Sequence, residues 1–184
     1  MRAALLILLA LSVPAAVLAV PQHGRLPWTD RKPQPRGEGL LEAAMLSGHN
    51  EARRLRGVPP LGWDPALARD ARIYARHLAR TSRFEHDRQS GRAARQGENL
   101  FMGTRGAYRY SEMIGLLVDE RRHFRPGRFP DVSRTGQVTH VGHYTQIIWP
   151  ASKRVGCALA SNRSNDYLVC RYFPAGNVAG TYLR

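Results

Sequence analysis

A chain of 184 residues is long enough for one domain with a hydrophobic core and too short for two ordinary ones. Hydrophobic residues make up 43% and charged residues 23%, a balance that excludes wholesale disorder. The formal net charge is +14, and arginine carries it, because Lys32 and Lys153 are the only lysines. This charge favours attraction to anionic partners, or reflects a bias toward arginine over the whole surface. No basic run interleaved with aromatic residues is present, so nothing specific predicts nucleic-acid binding.

Residues 1–19 are predicted to be a secretory signal peptide. An apolar run, Ala3–Val13, follows the positive Arg2, and small residues permit cleavage after Ala19. Polar and proline residues interrupt the apolar stretch, which weakens the alternative of an uncleaved membrane anchor. No second hydrophobic span follows, so we expect a mature chain without a transmembrane segment that is secreted, into the periplasm if the host is Gram-negative. Residues 20–39 are rich in proline and glycine and are predicted to form a flexible linker.

Two amphipathic helices are predicted next. The first runs from Leu40 to about Arg56, with its apolar stripe at Leu41, Met45, Gly48, Ala52 and Leu55. The second begins after Asp64, a favourable N-cap, with Pro65 in the first helical position. Its inner stripe is Leu67, Ala71, Tyr74 and Leu78, and its opposite side carries Arg69, Arg72, Arg76 and Arg80. We interpret these arginines first as a solvated face and second as an anion-binding stripe.

A third helix is predicted from Ser111, with inner positions Met113, Leu116, Leu117, Glu120 and Phe124. Glu120 therefore projects from the middle of an apolar face. A carboxylate desolvated there costs on the order of several kcal/mol unless it is neutralised or paired. We expect Glu120 to contact a metal, a histidine or strong hydrogen-bond donors, unless that part of the helix face opens to water.

The remaining elements are short strands and one loop. A strand at Asn99–Met102 would place Glu98 at its start, and residues 125–139 are predicted to be an exposed loop. Two further strands, Val155–Ala160 and Tyr167–Phe173, flank a turn-like stretch. They contain the two cysteines, Cys157 and Cys170, and an exported protein keeps its disulfides. We therefore predict a hairpin closed by one disulfide, in preference to a metal site.

Four residues are candidates for a metal site: His86, Glu98, Glu120 and His143. Two imidazoles can bind a divalent ion such as zinc while carboxylates complete the shell or orient the rings and the water. His143 stands in the stretch 142–149, where a polar tip precedes an apolar block; alone, that stretch is also compatible with an ordinary surface turn. The four residues lie on four different elements, so their spacing does not by itself bring them together.

Two long motifs resemble the signature motifs of the CAP superfamily, which comprises the cysteine-rich secretory proteins, antigen 5 and the pathogenesis-related 1 proteins. The motifs are Gly142-His143-Tyr144-Thr145-Gln146-Ile147-Ile148-Trp149 and Cys170-Arg171-Tyr172-Phe173-Pro174-Ala175-Gly176-Asn177. Further matches are His49-Asn50 with Arg53, Val58-Pro59-Pro60-Leu61 with Trp63-Asp64, Gly97-Glu98-Asn99-Leu100 and Val155-Gly156-Cys157. Together they cover about residues 40–180 in the family's order.

The resemblance implies an α+β fold, a three-layer α-β-α sandwich with a small antiparallel sheet between helices, in a single domain at 40–184. It implies a cleft holding His86, Glu98, Glu120 and His143, and a disulfide between the two cysteines. Members of the family are secreted; several bind sterols or fatty acids, and the histidine pair can bind zinc. Leu117 stands where members usually carry an aromatic residue. The loop at 125–139, which corresponds to the sterol-binding loop of some members, is here short, basic and polar.

Three functions follow from these patterns. The first is a secreted, non-enzymatic module that binds a divalent metal, zinc for preference, in the cleft, together with a lipid or an anionic envelope component. The second is a metal-dependent hydrolase in which Glu98 or Glu120 acts as general base on a metal-bound water. The third is a structural or adhesive module whose histidines and glutamates form a hydrogen-bonded core. Asn162 begins a glycosylation sequon that matters only in a eukaryotic host.

Overall fold

The computed structural model describes residues 33–90 and 94–184 of the chain. The predicted signal peptide and most of the predicted linker lie outside these residues. The helices are α1 (Glu38–Arg54), α2 (Pro65–Thr81), α3 (Tyr110–Val118) and α4 (Gly142–Ile147), with 3-10 turns at Asp119–His123 and Val138–His140. The strands are β1 (Gly62–Trp63), β2 (Gly97–Thr104), β3 (Gly127–Arg128), β4 (Arg154–Ser161), β5 (Asn165–Phe173) and β6 (Tyr182–Leu183).

The second helix follows its sequence signals closely. The Asp64 carboxylate accepts hydrogen bonds from the backbone N–H groups of Ala66 and Leu67, at 2.8 and 3.2 Å, and so caps the first turn. Ser82, in the left-handed conformation, ends the helix. Leu67, Ala71 and Leu78 are buried and Tyr74 is half-buried, which confirms the predicted inner stripe.

The first helix begins at Glu38, two residues before the predicted start, and its predicted stripe is wrong at one end. Leu41, Met45 and Ala52 are buried, but Leu55 follows the last helical residue and is 55% exposed. The C-terminal half of the helix instead buries polar side chains, His49 and Arg53. A stripe defined by apolar residues alone does not include them.

The central sheet has the order β1-β4-β5-β2. β4 and β5 form the predicted antiparallel hairpin, with Cys157 opposite Cys170 and the two joined by a disulfide. β2 pairs antiparallel along β5. The two-residue strand β1 pairs parallel to β4. The expectation was an antiparallel sheet, and this short parallel strand is added to it.

The helices form the two outer layers. α2 packs on β4 and β5 on one side, and α1, α3 and α4 contact one another on the other side. A Cβ atom at Gly156 would lie 2.2 Å from the backbone nitrogen of Ala68, so only glycine allows α2 to approach β4 this closely. The observed fold is the three-layer α-β-α sandwich.

Two parts of the third helix and the following loop differ from prediction. α3 ends at Val118, and Glu120 lies in the tighter 3-10 turn that follows. Within α3 the buried side is formed by Tyr110, Met113, Ile114 and Leu117, so Leu116, predicted to face inward, lies outside it and is 42% exposed. The segment 125–139 is not simply an exposed loop: β3 pairs with β6, and Val132 and Ser133 are buried.

A buried arginine joins α1 to the end of α4. The Arg53 guanidinium donates to the carbonyl oxygens of Ile147 and Trp149 at 2.8 and 2.9 Å, and to those of Pro59 and Ser152 at 2.6 and 2.9 Å. Burial lowers the pKa of Arg53 to about 10, so the side chain is still charged at neutral pH. The carbonyls of Ile147, Trp149 and Ser152 lie at and beyond the C-terminal end of α4, where helix carbonyls lack intrahelical partners.

We predict that Arg53→Gln lowers the free energy of unfolding by on the order of 3 kcal/mol, because several buried carbonyl groups lose their donor. Urea denaturation followed by circular dichroism measures this loss. Arg54→Gln is the matched control, since Arg54 is exposed and pairs with Glu51 on the surface of the same helix. Equal stability of the two variants would contradict the role assigned to Arg53.

Candidate functional site

The first candidate pair joins His86 to Glu98. The Nδ1 atom of His86 lies 2.6 Å from Oε1 of Glu98, and the same oxygen accepts the backbone N–H of Asp87 at 3.1 Å. The His86 side chain is 65% exposed, whereas Glu98, the second residue of β2, is 5% exposed. A buried carboxylate therefore holds a solvent-exposed imidazole.

Arg171 stabilises this pair from inside the sheet. It lies opposite Glu98 in the β2–β5 register and is fully buried. One guanidinium nitrogen lies 3.0 Å from Glu98 and 2.7 Å from Asp87, and the guanidinium carbon lies 5.2 Å from the centre of the Tyr74 ring. The patterns in the sequence do not predict a role for Arg171. An arginine inside the otherwise apolar run of β5 was the signal that could have identified it, because a buried charge needs a partner.

The second candidate pair joins His143 to Glu120. One carboxylate oxygen of Glu120 lies 2.6 Å from Nδ1 of His143. The other accepts the backbone N–H groups of His143 and Tyr144, at 2.9 and 3.1 Å, at the start of α4. The expectation that Glu120 needs a histidine or strong donors is confirmed, because it has both.

A chain of buried hydrogen bonds links the two elements that carry these pairs. Asn99, the residue after Glu98, donates to the carbonyl of His143 and to the hydroxyl of Tyr172, both at 3.0 Å. The Tyr172 hydroxyl lies 2.7 Å from Nε2 of His49, whose Nδ1 donates to the Met45 carbonyl. This chain of hydrogen bonds therefore connects β2, β5, α1 and α4 behind the site.

Three polar side chains fix the position of α4. Asn177, in the left-handed conformation, donates to the carbonyl of Gly142 and accepts from the Thr145 hydroxyl. Gln146 accepts the backbone N–H of Gly176 at 2.9 Å. The stretch 142–149 therefore consists of α4 and the two residues after it, tied to the second long motif, and the alternative of an ordinary surface turn is wrong.

The four candidate residues thus form two histidine–glutamate pairs. Within residues 33–90 and 94–184, no group of three or more histidine, cysteine, aspartate or glutamate side chains is arranged to hold a metal ion. Each carboxylate is instead occupied by its histidine and by backbone or arginine donors. A cation at this site would therefore depend on the imidazoles, with the carboxylates orienting them.

The pairing determines which ring nitrogen is available. A carboxylate only accepts, so the Nδ1 atom of each paired histidine carries the proton, and the neutral ring then has its lone pair on Nε2. Among the described residues, neither Nε2 atom has a hydrogen-bond partner, and the His143 side chain is 32% exposed. This is the arrangement in which a protein presents imidazole to a metal ion.

The glycosylation sequon is engaged in the hairpin turn. The Asn162 side chain accepts the backbone N–H groups of Ser164 and Asn165 and donates to Ser82 and Tyr167. The side-chain amide of Asn162 therefore already has hydrogen-bond partners in the folded state.

The α-β-α fold and the sequence both match one known protein family. The model of the cysteine-rich secretory protein family, CAP, matches residues 46–172. Pathogenesis-related protein 1B of Nicotiana tabacum is 36% identical over 136 residues, which cover 73% of this chain and 76% of that protein. Cysteine-rich venom protein VAR3 of Varanus acanthurus is 36% identical over 151 residues, covering 76% and 80%. The chain belongs to the CAP family.

A solved structure supports the same fold. The crystal structure of NaASP2 with Zn2+ superposes with a TM-score of 0.62 at 22% identity, covering 80% of this chain and 87% of that one. None of the helices in the described part of the chain is long and apolar enough to cross a membrane.

His49 provides a pH-dependence that can be measured. Burial lowers its pKa to about 4, against an opposing contribution from the Met45 carbonyl. Between pH 6.5 and 4 the unfolded chain binds a proton that the folded chain does not, so stability falls as the pH drops through this window.

We predict that His49→Gln reduces the loss of unfolding free energy between pH 7 and pH 4.5, because the variant lacks this proton uptake on unfolding. The free energy of unfolding is plotted against pH for both proteins, and the difference between the two slopes gives the contribution of His49. The carboxylates titrate in both proteins and so cancel. Parallel pH profiles would show that His49 is not held neutral.

Proposed function

We propose that this protein is a secreted, non-enzymatic CAP module that binds a divalent cation, zinc for preference, at His86 and His143. The observation that carries the proposal is the pairing of each Nδ1 atom with a glutamate at 2.6 Å, which leaves Nε2 for a metal. The crystal structure of NaASP2 with Zn2+, which has the same fold, supports the choice of ion. Bound zinc would supply a Lewis-acidic centre with positions open to water or a ligand.

Secretion is the second part of the proposal. An apolar run near the amino terminus, a disulfide and membership of a secretory protein family support it. A lipid or an anionic envelope component is the proposed partner, because the chain has a net charge of +14.

The environment of the glutamates favours binding over catalysis. Glu98 is held by His86, the Asp87 N–H group and Arg171, and Glu120 caps α4. A general base needs a carboxylate oxygen that can contact the attacking water and take its proton, and these carboxylates already contact histidine, backbone and arginine donors.

We predict that the mature protein binds about one zinc ion by isothermal titration calorimetry, and that His86→Ala or His143→Ala weakens binding at least about 100-fold. Glu98→Gln should weaken it about 10- to 100-fold, since the imidazole loses its orienting partner. Circular dichroism checks that each variant is folded.

The control is a double variant, His123→Ala with His140→Ala. These two rings lie 6.0 Å apart and form another histidine pair in the described chain. Zinc binding that survives loss of His86 and His143 and disappears in the control would overturn the proposed site.

The non-enzymatic part has its own test. The zinc-loaded protein is predicted to show no turnover of panels of peptides and esters above a zinc-free sample. Turnover that Glu98→Gln abolishes without unfolding the domain would contradict the proposal and support a metal-dependent hydrolase.

A further inference from the structure

We propose that the outer face of α2 is a docking surface for an anionic phospholipid bilayer. Arg69, Ile73, Arg76 and Arg80 make up this face, which we call the α2 row. At about 100° per residue the four side chains fall within an arc of about 60°. At about 1.5 Å per residue the row is about 16 Å long.

The α2 row is exposed and its charges are not neutralised. α2 packs on β4 and β5 through its buried face, so the row points away from the sheet. All four side chains are exposed, Ile73 by 67%. Among the described residues, no ion pair or side-chain hydrogen bond involves Arg69, Arg76 or Arg80.

The two other charged residues of α2, Arg72 and Asp70, have partners. Arg72 forms an ion pair with Glu38 at 2.9 Å. Asp70, the one acidic residue of α2, accepts a hydrogen bond from the Gln96 side chain at 2.6 Å. None of the three arginines of the row has an ion-pair partner among the described residues, although Glu38 and Glu42 line the same pocket as Arg69.

The chemistry of the row fits phosphate head groups with acyl chains beneath them. The guanidinium fork binds phosphate oxygens in pairs, and each basic side chain at an anionic leaflet strengthens binding about fivefold. An isoleucine exposed in the middle of the row costs free energy in water but gains at the boundary between head groups and acyl chains. A soluble polyanion would use the arginines and leave Ile73 in water.

This inference builds on the lipid-binding part of the proposed function and is independent of the cation site. The row lies on the side of α2 away from the sheet, whereas Tyr74 contacts Arg171 beside the His86–Glu98 pair. If the protein did not bind zinc, the proposed membrane binding by the α2 row would still stand. If the α2 row did not bind membranes, the proposed cation site would still stand.

The test is co-sedimentation of the mature chain, residues 20–184, with vesicles of phosphatidylcholine containing about one third phosphatidylglycerol, at low and high salt. The triple variant Arg69→Gln, Arg76→Gln and Arg80→Gln should bind about 100-fold more weakly, the product of about fivefold for each arginine. The charge-matched control, Arg121→Gln, Arg122→Gln and Arg184→Gln, replaces exposed arginines outside α2 and should bind within a few fold of wild type. All proteins should keep their zinc binding.

Ile73→Ser separates a bilayer from a soluble polyanion. We expect it to weaken vesicle binding several-fold and to leave binding of inorganic polyphosphate unchanged. The proposal is overturned if wild type does not bind the anionic vesicles, or if the α2 triple variant and its charge-matched control lose binding equally. It is also overturned if Ile73→Ser binds vesicles as wild type does, because the row would then recognise polyanions in general.

Discussion

The carboxylate of Glu120 makes the contact on which the geometry of the site depends. It accepts two backbone N–H groups at the start of α4 and, in the same place, fixes the ring of His143. One group thus caps the helix and selects the ring nitrogen that faces solvent. At the far end of α4, Arg53 binds the free carbonyls. The site therefore depends on a helix of six residues that has a charged partner at each end.

Much of this architecture was predictable because local rules and the CAP motifs agreed. The cap at Asp64, the inner stripe of α2 and the disulfide-closed hairpin follow from patterns within a short stretch of sequence. The position of Glu120 on one predicted helical face correctly indicated a partly buried carboxylate that needs hydrogen-bond donors. It held although the helix changes period before Glu120, because that side chain is still only 19% exposed and faces the start of α4.

The remaining features depend on contacts between distant segments. A two-residue strand such as β1 has no pattern of its own, and the pairing of β3 with β6 needs the C-terminal end of the chain. The partner of Arg171 becomes known only when the strand register places it opposite Glu98. Likewise, the four candidate ligands found in the sequence are divided by the fold into two histidine–glutamate pairs, in which each carboxylate orients an imidazole.

The central claim is that two oriented imidazoles, rather than a four-ligand cluster, form the cation site. A crystal structure of the mature protein grown with zinc, with anomalous data at the zinc edge, tests it most directly. The account predicts one anomalous peak bonded to Nε2 of both His86 and His143, with Glu98 and Glu120 still on the Nδ1 atoms. A peak on other residues, or carboxylates that leave their histidines to bind the metal, would contradict it.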